Sequence, residues 1–541
     1  MTSVPRELDL NTPNPMHHAC GPDDAWTTVN TRENYDGVMS PLGATLWMPI
    51  CDLAVNGCFH DLGVLTADQV VVAPSRSAAP SAVFYGRFAG SITYFRRMAD
   101  LIPGQSGHAF EQQFFGTSRD GAVSTSSAKR YPAIAMKAPV AVARVPRRMR
   151  STSRHVEAWW RHVTSGPGAD LPAEMQFVQA FANLELAMRT HMVATFVAQG
   201  VFDALGKLAA KAGRPDLHLA ASTGYGQMAE LELVAALDRV ARRESSLDAF
   251  LAEYGFRCEG EVEVSNPSWR ERPELVEKLL VSYRGAGRRP DLAAQARERS
   301  RAREAAEREL LAALPASRRS VARALLRLAR TYIPLREEGK ATLARAFDGV
   351  RVACRSRGRE LVAAGVLDVE DDVFYLTVDE VRGAPPADAR ELVARRRELR
   401  AAYEQLDLPD HWIGPPTPVA GAPVQAEPVD VLHGVAASHG VVTGRVRVLA
   451  GAEECDLLEP DEILVCRTTD PSWAAAFYLT AAVVIDIGST GSHGAIVARE
   501  MGLPCVIGTG NGTAVLRTGD LVRVDGTSGI VTVLTPAKEI A

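Results

Sequence analysis

Gly488-Ser489-Thr490-Gly491-Ser492-His493-Gly494-Ala495-Ile496-Val497-Ala498-Arg499-Glu500-Met501-Gly502-Leu503-Pro504 is the stretch on which the reading of this chain turns. A glycine-rich loop runs into a short apolar helix, and His493 sits at the junction. Ser492 is a favoured N-cap type, with an oxygen able to accept from the first free backbone N–H groups. Gly502 and Pro504 predict the helix end about two turns later. The imidazole is therefore expected at a helix N-terminus, where free N–H donors and the helix dipole favour an anion. Gly491 and Gly494 are expected to leave room for a bulky group on both sides. A histidine placed this way can carry a phosphoryl group, because the local amides stabilise the added charge. Spacing alone equally allows a surface or capping histidine, so both readings stand at this point.

Around this stretch the pattern is β-rich. Gly440-Val441-Val442, residues 444–449, Ile463-Leu464-Val465 and residues 482–485 precede it. Cys505-Val506-Ile507-Gly508 and a hairpin with Asp525-Gly526 and Gly529 at its turn follow. Residues 430–541 are predicted to form a small compact α/β domain that presents His493 on a loop. Before it, residues 408–429 hold Pro409, Pro415, Pro416, Pro418, Pro423 and Pro428, the composition of a semi-extended tether. Residues 28–407 read as one large, mainly α-helical domain. Phe177, Phe181, Leu184, Met188, Met192 and Phe196 recur at three to four within a long helix over 171–210. Further helices are predicted over 225–254, 292–314, from about Ser317 past a break at Pro315, and over 390–406. Residues 146–154, basic and serine-bearing, read as an exposed loop. Residues 1–27 read as a flexible lead-in.

The composition narrows the function classes. A formal net charge of −5 offers no electrostatic footprint for nucleic acid. The eight cysteines form no Cys-x-x-Cys pair and no histidine cluster stands at zinc spacing, so no metal site is expected. Scattered thiols, no signal-peptide core near Met1 and no uninterrupted apolar run of membrane-spanning length together predict a cytoplasmic protein.

One further constellation bears on chemistry. In Tyr332-Ile333-Pro334-Leu335-Arg336-Glu337-Glu338-Gly339-Lys340, Arg336 and Lys340 are four apart and share a helix face. A planar fork and a compact point charge suit a phosphoryl group. A solvated charged face is the alternative in so charged a segment.

Residues 491–500 resemble the phosphohistidine segment of the phosphoenolpyruvate-utilising enzymes, a family that includes phosphoenolpyruvate synthase, pyruvate phosphate dikinase and rifampicin phosphotransferase. Ser489 stands where a glycine is common and Gly494 where an alanine is common. Thr468, Thr469, Asp470, Pro471 and Trp473 are similar to loop residues of the same domain. Upstream, Glu33-Asn34-Tyr35-Asp36-Gly37-Val38-Met39-Ser40-Pro41-Leu42 resembles the opening of the family's acceptor domain. Residues 84–116 continue the pattern, with His108, Glu111 and Gln112 read as a solvated face. Residues 254–264 resemble a Gly-His-Arg-Gly segment ending in Glu-Ile-Asp-Ile. Phe256 replaces its histidine, Cys258 its second glycine, and Glu261 stays in register. Arg336 and Lys340 match the family's Arg-Glu-x-x-Lys.

The resemblance implies a phosphotransferase with a large helical acceptor domain and a phosphohistidine swivelling domain. His493 would carry the phosphoryl group on the loop of Gly491, Ser492 and Gly494. Arg336 and Lys340 would face it, and Glu261 would contact the substrate, a small-molecule hydroxyl. Phe256 cannot transfer a proton, so any acid–base work of the family histidine is absent or falls to another group. Relatives that make their own phosphohistidine carry an ATP-grasp or phosphoenolpyruvate site, and no such pattern is present here. No cofactor is expected to bind directly. ATP and Mg²⁺ are expected on a separate ATP-binding subunit, as phenylphosphate synthase resembles, and neither nucleic acid nor membrane is an expected partner. Two rivals remain open: a dehydratase that phosphorylates a hydroxyl and eliminates it, and a non-catalytic partner or scaffold subunit.

Overall fold

The computed structural model describes residues 14–32, 35–115, 127–166, 168, 171–226, 229–285, 292–420 and 429–537. Glu33 and Asn34 of the acceptor-domain motif, the Gln112 side chain, and Pro423 and Pro428 of the proline-rich segment lie outside the described residues.

The helical body is built on long helices. Pro41–Asp61, Tyr131–Ser165, Ala173–Lys211 and Ala316–Ala363 pack around one core that includes Leu42, Trp47, Trp160, Leu184, Phe347 and Val350. The last runs 48 residues, about 70 Å at the α-helical rise. Residues 146–154 are not the loop expected from their basic composition but lie inside the Tyr131–Ser165 helix. Met149, Thr152 and Val156 face inward at helical spacing while the arginines point out, so one apolar stripe decides the outcome. The Pro41–Asp61 and Ala173–Lys211 helices are long and apolar enough to cross a membrane, a length the interrupted apolar runs did not suggest. Both give buried side chains to the helical cores.

The margins of this body also differ from expectation. Ala25–Thr27, within the residues read as a lead-in, is an inner strand of a four-stranded antiparallel sheet. Trp26 is fully buried there against Phe84. His411–Ile413, in the segment read as tether, pairs with the same strand. Leu408 is buried beside them, so the chain leaves the helical body only after this pairing.

The C-terminal domain is one eight-stranded mixed sheet. Four neighbouring strands within it, Val441–Leu449, Ile463–Cys466, Ala482–Ile485 and Cys505–Ile507, run parallel. Ile463–Cys466 and Ala482–Ile485 are buried at every position, which explains their unbroken apolar sequences. Leu521–Asp525 and Ile530–Thr535 form the expected hairpin. The His493–Met501 helix connects the parallel strands Ala482–Ile485 and Cys505–Ile507, so its N-terminus stands at the carboxyl edge of the sheet. That edge is where open parallel sheets hold their ligands.

Candidate functional site

The loop between Ile485 and His493 is pinned at both ends. Asp486 accepts from Gly512 N at 2.5 Å, Thr513 Oγ1 at 2.5 Å and Thr509 Oγ1 at 2.7 Å. Arg499 reaches back from the helix and donates to Thr490 O at 2.7 Å and Ala437 O at 2.9 Å. Burial pulls the Arg499 guanidinium down to about 10, with the neighbouring Arg336 charge acting the same way. Arg499 thus acts as a brace under the loop. Gly488 has φ +147°, and a Cβ there would stand 2.5 Å from Ile507 Cδ1, so this turn requires glycine.

Two expectations about the loop are corrected. Ser492 occupies the N-cap position, but its hydroxyl does not cap the helix; it donates to Ser489 O at 2.7 Å. The first N–H groups of the His493–Met501 helix are thereby left without a side-chain cap. Gly494 does not leave room beside the histidine. A Cβ there would lie 2.5 Å from both Ile485 Cδ1 and Thr469 Oγ1, so the absent side chain is what lets the helix seat on the sheet. Gly491 is the open one, with nothing closer than 3.9 Å to its would-be Cβ. Gly502, with φ +69°, ends the helix in the left-handed conformation as expected.

His493 is 3 % exposed and faces the helical body. Its Nε2 lies 3.8 Å from Glu230 Oε1, an ion-pair distance rather than a hydrogen bond. Neither ring nitrogen has a hydrogen-bond partner. Burial acts to raise the Glu230 carboxyl, but the adjacent imidazole and Arg257 outweigh it and hold it below the ordinary carboxylate range. From Glu230 the charge chain continues inward. Arg257 Nη2 is 3.8 Å from Glu230, and Arg257 Nη1 donates to Glu261 Oε1 at 2.8 Å. Burial lifts Glu261 to about 7, against the pull of Arg257. Glu261 therefore lies two charges behind His493, in a buried chain that reaches the histidine through Arg257 and Glu230.

Arg336 meets the loop that precedes His493. Its Nη2 is 3.5 Å from Gly491 O, and its Nη1 donates to Glu337 Oε1 at 3.1 Å. Lys340 stands one turn further along the same helix. Opposite them, on Ala173–Lys211, is a residue the sequence reading left in an apolar stripe. His191 is packed so close to the backbone of Gly339 that a Cβ there would be 2.7 Å from its Nδ1. Lys340 and Arg336 are the charges that act on it. A glycine inside so long a helix, flanked by the two expected phosphate ligands, is the sequence signal for that close approach.

Phe256 is fully buried in the helical core, edge-on to Trp160 at 5.6 Å. The guanidinium carbons of Arg345 and Arg257 lie 4.5 and 4.9 Å from its ring centre. The position is a cation-stacked packing site, not a proton-transfer site. Ser40, from the N-terminal motif, donates to Glu263 Oε1 at 2.7 Å, joining two segments that the sequence keeps 223 residues apart. Glu111 is buried and bonded to Arg96 at 2.7 Å rather than solvated, whereas His108 is exposed.

Residues 458–529 match the family model for the mobile domain of PEP-utilising enzymes, and residues 186–337 match the rifampicin phosphotransferase fourth domain. Similar curated proteins include a rifampicin phosphotransferase from Streptomyces sp, 38% identical over 54% of this chain and 35% of that protein. Another, from Streptomyces sviceus, is 35% identical over 53% of this chain and 34% of its own length. One from Bacillus subtilis is 28% identical over 56% of this chain and 36% of its own. The chain therefore spans about a third of the length of the curated relatives it matches. The two matched regions hold His493 and Arg336, the residues that the fold brings together, so in both parts of the site the chain is similar to the phosphoenolpyruvate-utilising enzymes.

Proposed function

We propose that the chain relays a phosphoryl group through His493 to the hydroxyl of a small molecule. The observation that carries this reading is the His493 ring at an uncapped helix N-terminus, on a loop whose Gly491 carbonyl meets Arg336. The curated relatives named rifampicin phosphotransferase support phosphoryl transfer as the reaction class. Catalysis of this transfer is mainly positioning and charge neutralisation. The helix amides stabilise the charge gained when His493 is phosphorylated. Arg336 and Lys340 neutralise the group as it leaves. Glu230, kept ionised, favours positive charge on the ring and so favours its release as imidazole. Glu261 and Arg257 line the acceptor side of the same buried chain. ATP and Mg²⁺ act on a separate nucleotide-binding subunit that charges His493. The relay operates in the cytoplasm, a compartment supported by eight cysteines that are all free.

The test charges the protein with labelled phosphoramidate, or with labelled ATP and a candidate nucleotide-binding subunit, and looks for acid-labile phosphate. Wild-type protein is expected to carry it on His493 and to lose it to an added alcohol. His493→Ala is expected to carry none while keeping its thermal unfolding profile; a fully labelled and active alanine variant would overturn the assignment. Product mass separates transfer from elimination, since only transfer leaves phosphate on the product.

A further inference from the structure

Residues 131–155 hold six cations, Lys137, Arg144, Arg147, Arg148, Arg150 and Arg154, and no carboxylate, in a chain whose formal net charge is −5. The phosphoryl relay uses none of them. All six lie in the Tyr131–Ser165 helix. Lys137, Arg144, Arg147 and Arg148 line a groove of about 1220 Å³ between that helix, Ala173–Lys211 and the end of Pro41–Asp61. The groove follows the first helix from Met136 to His155, about 28 Å at the α-helical rise. Its floor is apolar: Val145 and Val193 are buried beneath it, and Leu186 lines it too. Met136 and Val140, one turn apart on its lip, are 71 % and 46 % exposed. Its rim is cationic. Arg148 is matched by Asp61 at 3.0 Å, and Arg189 holds the same carboxylate at 2.7 Å. Lys137 Nζ lies 3.1 Å from His60 Nε2. Among the described residues no carboxylate pairs with Lys137, Arg144 or Arg147, and all three are exposed.

We propose that this groove docks an amphipathic helix of a partner protein, with the apolar face on the groove floor and carboxylates against Lys137, Arg144 and Arg147. Three observations choose the occupant. The volume exceeds the roughly 300–1,000 Å³ that encloses a small molecule. Lys137, Val140, Arg144, Arg147 and Ser151 line it at intervals of three and four, so it runs along one helix, the geometry that takes a second helix with anchors at the same spacing. The unmatched charge is of one sign, so the complementary edge is acidic. A lipid surface would meet a protruding apolar face rather than a recessed floor. The occupant leaves the His493 loop untouched. Leu186 and Val193, seven apart, share a face of Ala173–Lys211. Gln199, which faces Gly491, lies about 120–140° round the same helix. A docked partner therefore holds the body without masking the histidine, and the docking stands whether or not His493 carries phosphate.

The test uses the full chain and a fluorescein-labelled synthetic peptide of about twenty residues, the helix length that spans the groove. The peptide carries Leu at helical spacing and Glu elsewhere; a second peptide carries Gln for each Glu. Binding is read by fluorescence anisotropy. Wild-type protein is expected to bind the Glu peptide about tenfold or more tightly than the Gln peptide, and to lose that preference as NaCl is raised. Arg144→Glu with Arg147→Glu is expected to weaken the Glu peptide about tenfold or more, and Val140→Asp to weaken both peptides. Wild-type protein that binds neither peptide, or both alike, overturns the proposal. So does a charge-reversed variant that binds the Glu peptide as wild type does. The substituted side chains are exposed, so thermal unfolding is expected to stay at the wild-type temperature. If charge reversal lowers it, Arg144→Gln with Arg147→Gln decides, and unchanged affinity in that variant overturns the proposal equally. Binding to phosphatidylglycerol vesicles that the Glu peptide does not displace would overturn it in favour of a membrane surface.

Discussion

The C-terminal domain touches the helical body in two unlike ways. On one side the contact is an apolar seam. Helices Ala229–Ala241, Leu247–Tyr254 and Pro273–Gly285 share a single core with Trp473, Phe477, Tyr478 and Ala498 of the sheet domain. Tyr283 stacks on Tyr478 with ring centres 4.8 Å apart and donates to Ala475 O at 3.0 Å. On the other side the contact is a polar rim around a cavity of about 450 Å³. There Arg467 pairs with Asp36 and Asp407, Asp470 accepts from Gly260 N, and Glu259 lies against Gly451. Large apolar interfaces behave as permanent ones, while polar rims open readily. A swing that carries His493 away from Glu230 must therefore either open the seam or take the three short helices with the domain. The rim imposes no such choice.

The sharpest way to break this contrast is to cut the seam. Tyr283→Ala removes a fully buried ring and its hydrogen bond, at a cost of about 3–5 kcal/mol. The expected outcome in differential scanning calorimetry is a single transition in wild type and an earlier, separate transition of the sheet domain in the variant. A variant that melts as one unit at the wild-type temperature would show that the seam does not join the two parts.

The contrast also explains what was legible in the sequence. The helices read over 171–210, 292–314 and 390–406, the hairpin and the His493 helix follow from local patterns and were readable at nearly their observed bounds, whereas 225–254, read as one helical stretch, is broken between Ala241 and Leu247. Arg336 and Lys340 were readable as a pair because four residues on one helix fix their direction. What failed depended on distant partners. Gly494 looked like free space because nothing in the local sequence brings Ile485 and Thr469 against it. Trp26 sat in a polar, proline-bearing opening whose strand partners come from residues 87–91 and 411–413. His191 was hidden because only the pairing of two long helices sets it beside Gly339. The seam itself was invisible: its two halves, near 240 and near 475, each read as ordinary core.

A smaller effect is expected at the rim, from pH. Burial lifts the Glu259 carboxyl to about 7 from 4.5, Asp470 and Glu453 add to this, and the backbone N–H groups of Ala452 and Glu453 oppose it. Once the rim opens, the group returns towards its ordinary value. The closed rim thus binds more protons than the open one between about 4.5 and about 7, and it weakens as pH rises through that window. Glu261 is raised to about 7 in the same region and adds to the slope. Limited proteolysis is expected to speed up between pH 5 and 7.5 and then level off. Glu259→Gln should remove a substantial share of that rise and leave the part due to Glu261; a variant with the full wild-type slope would assign it elsewhere.

The smallest effect is expected at Arg467, and it tests the rim from the side of charge alone. Its guanidinium is nearly half exposed, 2.5 Å from Asp36 and 2.8 Å from Asp407. Asp407 is already held by Arg32 at 2.7 Å, so removal of Arg467 leaves no carboxylate unpaired on that side. Exposed pairs of this kind contribute about 0–1 kcal/mol and are screened by salt. Arg467→Ala should therefore shift the unfolding midpoint by a degree or two at most, about what surface pairs yield. The shift should shrink as NaCl is raised, because only screened Coulomb energy is lost. The seam variant should show no such salt dependence, since it loses apolar contact. A salt-independent loss at Arg467 as large as that at Tyr283 would mean that the rim, and not the seam, holds His493 against Glu230.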